Sequence, residues 1–413
     1  MNKRRIIQLL LAALLLSGFT IGANQIPPLN TNVQEKVTEV APGLVRTHIS
    51  ADSTSEGLPQ NIHVAQIDLR KYRMKMVMAM NQIIGQEATS DMARRYNALV
   101  AVNAGYSFSN NAWNIFHGDP SEFFVLDGKI LSEPRSPGRR SVGICTRNDR
   151  QTMIVAEPLL SITVTMDESE ESEVTGINRR RNEVRGWDKE GAEKVELDKN
   201  DLILYTPEWN RSTLTDRNGV EAIVREDTVS AIRDNVGSNL IPSNGYVLSG
   251  SGKYADWLKQ HARVGSKAKI SYQLTSRENP ASPLPLEDCS YTSAGTLLIR
   301  DGRRFTDYGA ESFEPWFYDL RHPRTAIGIS KDNNTLWLIV ADGRQPNLAM
   351  GMTLPELTDL LVALGAYNAY NLDGGGSSTM VVRGEVVNSY SDIHRGGVRK
   401  ERRRCDAILV FPR

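Results

Sequence analysis

Short apolar runs broken by tight polar turns dominate the chain beyond position 61. Phe123 to Leu126 leads through Asp127-Gly128 into Lys129 to Leu131, and Thr296 to Ile299 leads into Asp301-Gly302. Ala326 to Ile329 is followed by Lys331 to Asn334 and then Leu336 to Val340, while Met380 to Val382 is followed by Arg383-Gly384 and Val386-Val387. Apolar runs flanking Asp-Gly or Asn-rich turns predict β-hairpins. Helical periodicity is rare. The clearest case is Leu354 to Leu364, where Leu357, Leu360, Leu361 and Leu364 share one face, Thr353 and Glu356 have capping-box spacing, and Gly365 stands at the C-terminal cap. This predicts a one-sided helix lying on a sheet. A second helix is predicted over Ser90 to Asn97, leading into the apolar run Ala98 to Val102. Both helix-to-strand passages end at an Asn near glycines, Asn103-Ala104-Gly105 and Asn371-Leu372-Asp373-Gly374, a hint of internal duplication although the spacings differ.

Lys3, Arg4 and Arg5 precede the apolar run Ile6 to Leu16 and a small-residue stretch ending at Ala23, the order of a secretory signal. The run is shorter than the roughly 20 residues of a bilayer span, so the mature chain is expected to begin after about Ala23, with no stable membrane span after processing, and to be secreted or held in the periplasm or cell envelope. Residues 24–60 read as an extended lead-in with one strand in the patch Val40 to Val45. Residues 167–200 carry an acidic cluster (Asp167, Glu168, Glu170, Glu171, Glu173) and a basic one (Arg179, Arg180, Arg181, Arg185) with little apolar content, which reads as a solvated loop or elongated hairpin. Asn218-Gly219 marks a further hairpin. The expected fold is α+β, a mixed, β-sheet-rich catalytic domain with a few packed helices. Residues 61–160 and 291–413 form its two halves, and residues 161–290 form a β-rich insertion.

The formal net charge is zero, from 49 Lys plus Arg and 49 Asp plus Glu, which argues against electrostatic binding of nucleic acid. Three cysteines, Cys145, Cys289 and Cys405, allow at most one disulfide and lack the paired spacings of a zinc site. No zinc or catalytic metal is therefore expected to be required, although carboxylates and carbonyls could hold a hard cation such as calcium. The sequence does not fix the oligomeric state.

The sharpest local signal is Asp373-Gly374-Gly375-Gly376-Ser377-Ser378-Thr379, between the apolar run Tyr370 to Leu372 and a predicted strand. Three consecutive glycines weaken any regular element, so their use points to positive φ or close backbone approach to a ligand. A carboxylate, three glycines and three hydroxyls suit a phosphate or sugar cradle. It is not a nucleotide P-loop, because Ser377 stands where lysine would be, nor a Gly-x-Ser-x-Gly elbow, because position 379 is Thr. Upstream, His322-Pro323-Arg324 precedes one strand and Asp342-Gly343-Arg344 follows the next. If these strands pair, Arg324, Arg344, His322 and Asp342 meet at one edge, a set suited to an anionic substrate. An internal salt bridge between Arg324 and Asp342 is the competing structural explanation.

His322 to Ile329, Val340 to Pro346, Gly351 to Leu354 and above all Asn371 to Met380 resemble the phosphodiester glycosidase family, with the resemblance running from about Asn61 to Phe411. The family's Asn-Gly-Gly-Phe-type turn appears here as Asn103-Ala104-Gly105-Tyr106, its Gly-Gly-Pro-type turn is altered to Ala294-Gly295-Thr296, and Val387-Asn388 and Glu401-Arg402 also resemble family positions. The resemblance implies hydrolysis of the bond between a sugar anomeric carbon and a phosphate esterified on its other side. The expected catalytic set is Asp373, Asp342, Arg344, Arg324 and His322. Asn103, Gly105, Asn371, Gly374, Gly375, Gly376, Ser377, Ser378 and Thr379 are the expected substrate- and phosphate-binding set, and the partner is a glycosyl phosphodiester or phosphate-bearing glycan. A non-catalytic binder of anionic glycan and a metal-dependent phosphodiesterase are the alternatives.

Overall fold

A computed structural model describes residues 33–52, 58–108, 116–187, 193–393 and 397–413. The predicted signal segment lies outside the described residues. Strands far outnumber helices, so the fold is mixed α+β and mostly β. The four hairpins read from the sequence form, with Asp127-Gly128, Asp301-Gly302 and Arg383-Gly384 all in the left-handed region at their turns.

An eight-stranded antiparallel sheet is the frame of the molecule. At its centre Gln60–Asp68, Thr335–Ala341, Arg324–Ile329 and Asn368–Asn371 lie side by side. One face packs Ala65, Ile67, Ile327, Ile329, Leu336 and Leu338 against Val100, Val102, Met380, Ile408 and Val410 of a five-stranded sheet. The other face packs Ile62, Val64, Ala326 and Ile339 against Leu357, Leu360 and Leu361 of the helix Leu354–Leu364. That helix has the ends its sequence specifies: Thr353 and Glu356 close a capping box, and Gly365 ends it at φ 91°. Since both faces are covered, the middle strands read as continuous apolar runs rather than alternating ones.

Three regions differ from the sequence-based expectation. The lead-in supplies two strands, Val33–Ala41 and Leu44–Ala51, because Pro42-Gly43 turns the chain inside the apolar patch that had read as one. The hairpin near Asn218-Gly219 turns instead at Glu226-Asp227, both at positive φ, joining Val220–Arg225 to Thr228–Asp234. The basic cluster is not wholly solvated. Arg179 is buried and ion-paired to Glu133 and Asp201, and Arg181 is buried against Asp216. Glu133 precedes the insertion in the chain, so charge as well as apolar packing seats these middle sheets. Cys145 and Cys289, on adjacent antiparallel strands, form a disulfide across the foot of the region expected to be inserted, and Cys405 is free and buried.

Behind the central sheet His63 is buried, stacked on His48 at 4.7 Å, with an Arg46 Nη2 to His63 Nδ1 contact of 3.1 Å. Burial first, and then the neighbouring His48 and Arg46 charges, push its pKa down to about 3. An unfolded histidine titrates near 6.5. The stabilising contribution is therefore complete above that value and is lost as pH falls towards the folded value. Between pH 7 and pH 5 the loss should be about 2 kcal/mol. Urea unfolding at the two pH values measures it, and His63→Gln should flatten the slope; an unchanged slope in the variant would refute the assignment.

Candidate functional site

The antiparallel register builds the site. Arg324 pairs with Ala341 and Ala326 with Asn371, so the start of one strand lies beside the ends of two others. Val100–Asn103, from the second sheet, ends against the same place: Asp373 N–H donates to Ala104 O at 2.8 Å, and Asn103 Nδ2 donates to Asp373 O at 2.6 Å. The two helix-to-strand passages thus converge. They form one side of a cleft of about 370 Å³ lined by His322, Arg324, Arg344, Asp373 and Gly374 to Gly376.

Arg324 is 1% exposed, and its head group is held by carbonyls: Nε donates to Met352 O at 2.9 Å, and Nη2 to Phe317 O at 2.6 Å and Leu320 O at 3.2 Å. Burial lowers its pKa to about 10, which leaves it protonated at neutral pH. Arg344 adopts φ 58° and donates from Nη2 to His322 Nδ1 at 3.0 Å, while the opposite ring nitrogen of His322 lies 2.9 Å from Trp316 O. Nε2 must therefore carry the proton, and burial, with help from Arg324 and Arg344, holds the imidazole pKa below its usual value. With both nitrogens engaged, neutral His322 orients Arg344. Neither Arg324 nor Arg344 has a carboxylate ion-pair partner among the described residues.

Asp373 is 7% exposed and pairs with Arg404 at 2.7 Å. Behind the glycines, Arg402 forms a two-point pair with Asp392 at 2.7 and 2.8 Å. A Cβ on Gly376 would lie 2.0 Å from that Asp392 carboxylate and 2.3 Å from Arg402, and Gly375 sits at φ 63° beside Arg344, so the glycines give room to cationic side chains as well as to a ligand. Gly375 N–H donates to Pro323 O, leaving those of Gly374 and Gly376 without an acceptor among the described residues.

The structure places the remaining expected residues behind the cleft. Asp342 is buried and accepts from Asn61 Nδ2 at 2.6 Å, Asn388 Nδ2 at 3.0 Å and Ser389 N at 2.8 Å. It does not pair with Arg324. Asn388 Nδ2 also donates to Ser378 O, so Asp342 ties the glycine-rich loop to the strand that delivers Arg344. Asn103 Oδ1 accepts from Thr325 Oγ1 and Thr379 N. Gly105 N–H donates to buried Asp406 at 2.7 Å. Asn371, Ser377, Ser378 and Thr379 are buried and do not line the cleft. The short turn at the glycines carries Ser377, Ser378 and Thr379 inward, which local sequence does not reveal.

Phe313, Trp316 and Phe317 form an aromatic wall of the cleft, with Trp316 40% exposed. Tyr106, Arg139, Glu314, Arg402 and Arg404 are also in the lining. None of these was in the expected site set, although the aromatic spacing around Trp316 and the run Arg402-Arg403-Arg404 were available signals. Among the described residues no group of three or more His, Cys, Asp or Glu is arranged to hold a metal ion, and no helix is long and apolar enough to cross a membrane.

Comparison with known proteins bears on this region. Residues 218–411 match the phosphodiester glycosidase family model, which takes in every cleft residue from Phe313 onward and leaves Tyr106 and Arg139 outside. The chain is 40% identical over 99 residues to the SPbeta prophage-derived uncharacterized protein YomE of Bacillus subtilis (strain 168), a match covering 24% of this chain. It is 36% identical over 76 residues, 18% of this chain, to the N-acetylglucosamine-1-phosphodiester alpha-N-acetylglucosaminidase of Mus musculus. The matched stretch spans only 14% of the length of either relative. The crystal structure of a candidate exported protein from Burkholderia pseudomallei K96243 has the same fold, with TM-score 0.71 and 27% identity over 89% of this chain and 77% of that one. Over residues 218–411, therefore, the chain matches the phosphodiester glycosidase family, and the resemblance carried by Asn371 to Met380 is shown.

Proposed function

We propose that this protein is an exported hydrolase that cleaves the glycosidic C–O bond of a sugar-1-phosphodiester, with a phosphate monoester as leaving group. The observation that carries this reading is the convergence of Arg324 and Arg344, neither with a carboxylate partner among the described residues, on the cleft that also holds Asp373. A departing phosphate monoester has a last pKa near 6, so it needs charge stabilisation more than protonation. Arg324, Arg344 and the N–H groups of Gly374 and Gly376 are suited to that task. Asp373 serves the oxocarbenium-like sugar as base or nucleophile, while Phe313, Trp316 and Phe317 offer apolar faces to the sugar ring. Asp342, Asn103 and His322 position these groups. The N-terminal apolar run and the Cys145–Cys289 bridge support export to an oxidising compartment.

Hydrolysis of α- and β-linked sugar-1-phosphodiesters in heavy-oxygen water tests the proposal. Label recovered in the sugar supports it; label in the phosphate identifies P–O cleavage, and absence of turnover across the panel favours a non-catalytic glycan binder. Arg344→Ala should raise KM and lower kcat, together reducing kcat/KM by about tenfold or more, because the phosphate is charged in the ground state and gains charge on departure.

A further inference from the structure

We propose that the substrate carries a second anionic group besides the scissile phosphodiester, and that Arg139 binds it. This rests on the reading of the cleft given above. A phosphodiester bears one negative charge, and Arg324 with Arg344 already answers it. Arg139 is 7% exposed and, unlike Arg402 and Arg404 in the same lining, has no carboxylate partner among the described residues. Its Nη1 donates to Ala294 O at 3.3 Å, and its buried Nε has no acceptor. That Nε is closed to solvent and to a ligand alike, but Nη2 has no acceptor among the described residues, and a largely buried cation without a counter-charge is costly to maintain until an anion arrives with the ligand.

The geometry separates this position from the first. Arg139 stacks on Phe313 at 3.9 Å, Phe313 stacks on Phe317 at 4.2 Å with the rings 14° apart, and Arg324 lies 5.1 Å from the Phe317 ring. Phe317 occupies one face of Phe313, so Arg139 caps the other. This run of contacts, from Arg139 through Phe313 and Phe317 to Arg324, sets Arg139 on a different part of the lining from Arg324. The second group is therefore a carboxylate on the sugar or a further phosphate on the aglycone, either of which a guanidinium binds through two N–H donors.

Three substrates distinguish these sources: the methyl phosphodiester of glucose 1-phosphate, its glucuronic acid counterpart, and the glucose 1-phosphodiester of glycerol 3-phosphate. One of the two compounds with a second anionic group should show kcat/KM at least about tenfold above the singly charged one. That ratio should fall towards one in Arg139→Gln and return in part in Arg139→Lys. A ratio near one in the unmodified protein, or one unchanged by Arg139→Gln, overturns the proposal. Calorimetric binding of glucose 1,6-bisphosphate against glucose 1-phosphate gives a readout independent of turnover. An affinity ratio that depends on Arg139 in a protein that hydrolyses nothing would sustain the second anion site while refuting the hydrolase reading, and a ratio indifferent to Arg139 would refute the site.

Discussion

Asp373→Asn is expected to lower kcat by at least about 10²-fold, the scale for losing one positioned acid or base group. Asparagine retains the size of the side chain and can still accept a hydrogen bond, but it removes the charge that a developing oxocarbenium ion needs. The substitution also carries a stability cost. Asp373 is the ion-pair partner of Arg404, whose side chain is 4% exposed, so the substitution leaves a buried guanidinium without its counter-charge. Removing one partner of a buried pair costs up to about 3–5 kcal/mol, and the neutral amide should keep the loss towards the lower end. Rate and melting temperature are therefore to be measured on the same preparation, with kcat referred to the folded fraction. A destabilised enzyme whose folded fraction turns over at the original rate would show that Asp373 only neutralises Arg404.

The second large effect concerns the bridge between Cys145 and Cys289. These residues face each other on the strands Ser141–Arg147 and Cys289–Thr292, 144 positions apart in sequence. Closing so long a loop restricts the unfolded chain, and both cysteines also pack in the apolar cluster that includes Ile162, Leu202, Val220 and Leu248 of the middle sheets. Cys145→Ala with Cys289→Ala should lower the unfolding free energy by about 2–5 kcal/mol, read as a lower urea midpoint. Reductant should lower the midpoint of the unmodified protein and leave that of the double variant unchanged. An equal midpoint for both proteins without reductant would show that the bridge contributes nothing to stability. Neither cysteine lines the cleft, so activity at low temperature should be largely retained.

How much of the site was legible in the chain depended on the range of the interaction that made it. The glycine-rich loop was visible because three successive glycines contradict any regular element, and a local contradiction needs a local reason. The meeting of Arg324 with Arg344 could be read from one hairpin, since antiparallel pairing places the first residue of one strand beside the last of the next. Asp342 shows where that reasoning stops. It leaves the same edge two residues before Arg344 but points to Asn61 and Asn388, and only the neighbouring strand Gln60–Asp68 and the segment after Glu385–Val386 decide that direction. Ser377, Ser378 and Thr379 read as hydroxyls for a ligand because sequence places them after the glycines, yet the short turn Gly375–Ser377 carries them inward.

By itself, then, the sequence determined four of the hairpins, the capped helix Leu354–Leu364, the two Asn-ended passages and the identity of the glycine-rich loop. Each is fixed by turn chemistry, capping or periodicity within about a dozen residues. Tertiary structure alone decided that those passages converge, through the Asp373 to Ala104 and Asn103 to Asp373 hydrogen bonds. It also decided that Arg404, from near the chain end, neutralises Asp373, and that Arg139 and Phe313, far apart in sequence, share one wall. Side chains at such separations meet only because sheet register and packing bring their strands and loops together, and no local pattern of apolar and polar positions encodes which distant residue will be the neighbour.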